Sequence, residues 1–132
     1  MDTIDSKTKW SVTRIDTPRK TTTKTTTWDP SPDGDRILVS LDILWAPGHV
    51  ALTGVRVLYN DFAILPWGQP SGQLVGDNER RKFGLGLYIS KPLVIVTSNG
   101  DGVPHSHYFT AELIEVPVGG PLTPYTPPVV VV

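Results

Sequence analysis

His105 and His107 are two residues apart, and among side chains able to do chemistry their spacing comes nearest to a site. On a strand they share a face, and His-x-His pairs occur in metal sites. Such a site takes three protein ligands and usually a fourth. His49, Asp77 and Glu79 are the side chains that could complete it. No fuller motif joins them, so the histidines read as structural or surface residues, and neither a metal nor another cofactor is expected. Asp77 and Glu79 also stand next to Arg80, Arg81 and Lys82. Paired carboxylates carry glycoside hydrolysis, but the sequence supplies nothing else for such a site. The charged stretch therefore reads as a ligand-binding candidate, and no enzyme is expected. Gly84-x-Gly86 has no helix after it and is not a nucleotide loop. Asp33-Gly34-Asp35 and Asn99-Gly100-Asp101 lack the spacing of a calcium loop and read as turns. The tryptophans Trp10, Trp28, Trp45 and Trp67, with Tyr59, Tyr88 and Tyr108, could build a platform for stacking sugars. Trp45 sits on an alternating strand and reads as core. Trp67, after Pro66 at a strand end, is the candidate for an exposed aromatic.

These residues must be positioned by strands. The 13 prolines and 12 glycines oppose long helices, and period-2 alternation recurs while helical spacing does not. Residues 36–45 alternate, with Ile37, Val39, Leu41, Ile43 and Trp45 on one face. Residues 50–67 read as a strand, a turn at Asn60-Asp61 of the type that needs positive φ, and a short return strand ended by Pro66. Residues 68–81 form a long loop of the kind that is often functional. Residues 83–90, 92–98 and 105–116 supply further strands. The expected core is Ile37, Val39, Leu41, Ile43, Val55, Val57, Val94, Val96, Phe109 and Leu113. Short turns at this spacing predict an all-β fold over residues 29–116, an antiparallel β-sandwich of jelly-roll-like form first and an incomplete barrel second.

Two arms flank that body in this reading. Residues 1–28 form a basic N-terminal arm: six basic side chains stand against three acidic ones, a net of +3. Residues 29–132 hold six basic and ten acidic side chains, a net of -4. A basic arm on an acidic body suits docking to an acidic neighbour, which could be another copy. Within the arm, six threonines in residues 20–27, closed by Trp28, could form a weakly registered strand that needs a partner edge. Residues 117–132 form a second arm with five prolines, ending in four valines. The expected partner-binding residues are Lys20, Lys24 and Trp28 on one arm and Val129, Val130, Val131 and Val132 on the other. The chain has no cysteine, so no disulfide framework. No stretch resembles a signal peptide or approaches the ~20 apolar residues of a membrane helix. Neither membrane nor nucleic-acid binding is expected.

The runs GVRVLYNDFAILPWG, GDNE and HSHYFTAELIEV resemble the small β-sandwich modules of tailed-bacteriophage virion proteins. The resemblance spans roughly residues 36–116. It implies a structural role, as a capsid decoration, cement or minor capsid protein with no catalytic residues. It further implies a homo-oligomer, with a trimer as the first expectation, docked on a capsid and located in the virion after synthesis in the host cytoplasm. The alternative expectation is a carbohydrate- or receptor-binding module using Trp67 and the 68–81 loop, with Asp77, Glu79, Arg80 and Arg81 as its ligand-binding residues.

Overall fold

The computed structural model describes residues 8–32, 34–49, 52–69 and 71–116. Eight strands follow one another: β1 (Thr8–Thr17), β2 (Thr21–Trp28), β3 (Arg36–Trp45), β4 (Thr53–Tyr59), β5 (Phe62–Leu65), β6 (Glu79–Ile89), β7 (Leu93–Asn99) and β8 (His105–Glu115). One sheet has the order β1-β8-β3-β6 and the other β2-β7-β4-β5. Every pairing is antiparallel. First pairs with last, second with seventh, third with sixth and fourth with fifth. This is one long hairpin wound over itself into two facing sheets, the jelly-roll form of the β-sandwich.

The fold begins at its tightest turn. Asn60 and Asp61 have φ of 53° and 68° and leave Tyr59 paired with Phe62. A two-residue turn with both φ positive matches the twist of the strands it joins. The pairings of β3 with β6, β2 with β7 and β1 with β8 extend this hairpin outward, and those of β4 with β7 and β3 with β8 join its successive turns into sheets.

The core lies between the sheets. Leu38, Leu41, Ile43 and Trp45 of β3 meet Val55 and Val57 of β4, Leu93 and Ile95 of β7, and Phe109, Ala111 and Leu113 of β8. Val39 departs from the expected core and is half-buried. Between Leu38 and Ser40 the chain of β3 advances two residues while β8 advances one, from Leu113 to Glu112. That is a β-bulge, and it changes the inward parity from Leu38 to Leu41. The opposite neighbour β6 absorbs the defect with an extra residue of its own, where Gly86 has φ of 63°. Val94 is also half-buried, because Leu93, Ile95 and Thr97 are the inward residues of β7.

The N-terminal stretch differs from the expected arm. Residues 8–28 supply β1 and β2, the outermost strands on one side of both sheets. Trp28 is 9% exposed and packs at 6.4 Å on Phe109. The edge that the threonine strand needs is β7 of its own chain, with Thr25 opposite Val96 and Trp28 opposite Leu93. Ile15 and Trp28 provide the apolar anchoring that the threonines lack. The second expected arm, 117–132, lies outside the described residues, as do residues 1–7.

Candidate functional site

The structure brings all three histidines together. His105 and His107 point inward from β8, and His49 enters from the loop after β3. The ring centroids of His49 lie 4.5 Å from His105 and 4.7 Å from His107. Gly48, with φ of 103°, makes the turn that delivers His49, and its N–H donates to Asp77 Oδ1 at 2.9 Å. His49, His107 and Thr53 are fully buried.

One contact fixes the protons of this cluster. His49 Nε2 lies 3.0 Å from the carbonyl of Ser106, which can only accept. His49 therefore carries its proton on Nε2, and its Nδ1 accepts from the Thr53 hydroxyl at 2.6 Å. The Thr53 oxygen in turn accepts from His107 Nε2 at 3.3 Å. The chain runs from His107 through Thr53 and His49 to Ser106. It leaves His107 Nδ1 as a bare acceptor, buried with no partner. A second proton on His107, at Nδ1, has no partner, and one on His49 Nδ1 would reverse its bond with Thr53. Burial pushes the pKa of His107 down to about 3, with the neighbouring histidines adding to the shift. Burial, then His105, lowers that of His49. His105 takes no part in this run of hydrogen bonds; its Nε2 lies 2.8 Å from Asp101 Oδ2. That bond, followed by the backbone N–H of Gly102, holds the Asp101 carboxyl below its usual range.

The cluster is a clamp. It ties the loop after β3 to β4 and β8, and Asn99 does the same for the loops beside it. Asn99 Nδ2 reaches the carbonyls of Thr17, Pro18 and Val103, while its Oδ1 accepts from the Asp101 N–H. Metal ligation is a different arrangement. Both nitrogens of His49 are committed to Thr53 and Ser106, and no group of three His, Cys, Asp or Glu among the described residues is placed to hold a metal ion.

The charged stretch is split between two faces. Glu79, Arg80 and Arg81 belong to β6 rather than to a loop. Arg81 stacks its guanidinium 4.4 Å from the Trp45 ring, pairs with Glu79 at 3.1 Å and donates to the Val75 carbonyl. It closes one end of the core by cation–π contact. Arg80 points the other way and lies 3.6 Å from Asp42. Asp77 holds Gly48. All four make contacts within the fold, and Trp67 stands apart from them. Trp67 is 60% exposed, and its ring meets that of Phe62, itself 46% exposed, at 4.9 Å and 69°.

The expected docking residues of the N-terminal stretch are engaged at home. Lys20 adopts φ of 53°, and its N–H and Nζ bond the carbonyls of Asp101 and Gly100. Lys24 Nζ donates to the Asp16 carbonyl. The exposed apolar residues of this stretch are instead Trp10 and Val12, at 60% and 64% exposure on the outer face of β1. Their alternation with Ser11 and Thr13 is visible in the sequence. Which face turns outward depends on Ile15 and Thr17 being drawn into the core. Val129, Val130, Val131 and Val132 lie outside the described residues.

No known protein-family model matches the chain, and no curated protein matches it. Solved structures that it resembles include Aeromonas hydrophila PliG, a periplasmic lysozyme inhibitor of g-type lysozyme. The TM-score is 0.43 at 11% identity, covering 79% of this chain and 85% of that chain. They also include a chain from the structure of tomato aspermy virus, with a TM-score of 0.43 at 14% identity, covering 89% of this chain and 82% of that chain. No residue role is carried over from either.

Proposed function

We propose that the chain is a structural, non-enzymatic virion component of the decoration, cement or minor capsid kind. It docks on a larger protein shell and on copies of itself, with a trimer as the first expectation. Its location is then the virion. The observation that carries this reading is the outer face of β1. Trp10 and Val12 stand side by side, more than half exposed, on the last strand of their sheet. Edge strands of soluble monomers are usually short, charged or covered; β1 runs ten residues and, between Lys9 and the Arg14–Asp16 pair, carries an apolar pair on its outer face. Such a strip gains free energy when a partner covers it. The jelly roll is an architecture of viral capsid domains, but lectin domains and cupins share it, so the surface and not the fold bears the weight.

A second reading has its own observation. The exposed rings of Phe62 and Trp67 form a corner on which a sugar could stack. That reading makes the chain a carbohydrate- or receptor-binding module. Two measurements separate them. Retention on purified particles of the encoding virus, unaffected by free glycans, is the outcome expected of a structural component. Glycan-array binding that disappears in Trp67→Ala, with no retention on particles, would establish the second reading instead.

A further inference from the structure

The sandwich is open on the side where β5 and β6 end their sheets. β5 has four residues and β6 eleven, and beyond β5 the chain at Leu74 bridges Val55 and lines the same side of the gap. A groove of about 530 Å³ lies there, lined by Ile64, Leu65 and Trp67 on one side and by Lys82, Phe83 and Leu85 on the other. Alternate residues of a strand face opposite ways. Lining by consecutive residues of both β5 and β6 therefore means that the groove runs along the strand edges and reaches their main chain. Its walls are apolar apart from Lys82.

The geometry points to residues 129–132, the four consecutive valines of this chain, as the occupant of the groove, added as a strand along the outer edge of β6. Position permits it. β8 ends at Glu115, which lies opposite Arg36, and Arg36 lies opposite Ile89 of β6. The exit of β8 is thus two strand spacings from the end of β6, or ~10 Å, and Leu85 lies a further ~13 Å back along the strand. Residues 117–128 can span up to ~40 Å when extended. Chemistry permits it as well. Residues 117–132 contain no charged side chain, so seating them desolvates no side-chain ion. Valine is among the residues that best fit a pleated, half-buried surface. Four valines match the four residues 82–85 that line the groove on β6. An added strand satisfies main-chain groups on both partners while alternate side chains fill the apolar walls. In an assembly, the same segment can pass to the groove of a neighbouring copy without any new type of contact. That extension alone rests on the structural reading above; the seat itself does not.

Hydrogen exchange on the full chain at a dilution where it is monomeric tests the seat, independently of assembly. The comparison is with Val130→Asp/Val131→Asp, whose changes lie outside the described sandwich. Amides within residues 82–85 should exchange about tenfold or more faster in the variant, with β3 and β8 unchanged. A peptide of residues 117–132 added to the variant should restore protection, and the same peptide carrying both aspartates should not. Equal exchange in the two chains overturns the proposal. So does protection that appears only when the native chain is concentrated, because the seat would then never be filled from its own copy.

Discussion

At the scale of single residues, the cluster of His107, Thr53 and His49 is the least replaceable feature described. Every proton in it is assigned by the Ser106 carbonyl, so the removal of one hydroxyl orphans two rings. Thr53→Val keeps the shape but leaves His49 Nδ1 and His107 Nε2 without their hydroxyl partner in a buried site. We expect a loss of about 1–3 kcal/mol in denaturant melts. The same cluster sets a response to acid. The folded pKa of His107 lies at about 3, below the ordinary 6.5, and that of His49 is lowered too. Well above pH 6.5 these two rings are neutral in both the folded and the unfolded state and contribute little pH dependence. Below it the unfolded chain takes up protons that the folded chain refuses, so stability falls with pH. For His107 the loss runs from about 6.5 down to about 3, at up to about 1.4 kcal/mol per pH unit. Stability curves measured from pH 7 to pH 4 should show this slope, and His107→Gln should flatten it. A native slope no steeper than that of the variant would mean that the ring is protonated in the fold.

At the scale of elements, the strands were legible and their partners were not. Alternation marks β3, β4 and β8, and Asn60-Asp61 marks the hairpin turn, because those signals are local. The bulge at Val39 is set by how β3, β6 and β8 register together, so the change of inward parity leaves no local trace. The threonine run is the sharpest case. Its residues fit a strand, but they carry almost no apolar pattern, and only β7 and the core beneath Trp28 decide that it folds onto its own chain. The histidines were legible as a pair. His49, 56 residues earlier than His105, joins them only through the topology. Treating residues 1–28 as an arm implies that they can be removed harmlessly, and the pairing says otherwise. A chain lacking them loses the outermost strands on one side of both sheets, bares the edge of β8 and uncovers Phe109, on which Trp28 packs. We expect it to show no cooperative unfolding transition, or to be insoluble. A chain that begins at Asp29 and melts like the native one would contradict the sheet order.

At the scale of the whole molecule, the jelly roll leaves four outermost strands and covers them unequally. β2 is backed by polar threonines, and β6 carries Arg80 and Lys82 on its outward face. β5 carries the exposed Phe62 against Trp67, and β1 presents a tryptophan and a valine together on its outer face. Arg14 stacks 5.7 Å from Tyr108 and bonds Asp16 at 2.7 Å at the far end of the same face, so the apolar pair is bounded on one side by a fixed polar rim. An apolar centre with a polar rim is the anatomy of an interface. The account stands on that surface being covered when copies meet. Light scattering on the full chain, alongside Trp10→Lys/Val12→Lys, tests it most directly. Both changes lie on the open face and should leave the melting temperature within a few degrees. The account predicts that the native chain has a mass that is a multiple of 14.4 kDa, with three copies the first expectation, and that the double variant falls to 14.4 kDa. A native chain that stays at 14.4 kDa at every concentration, or a variant that keeps the native mass, would contradict it.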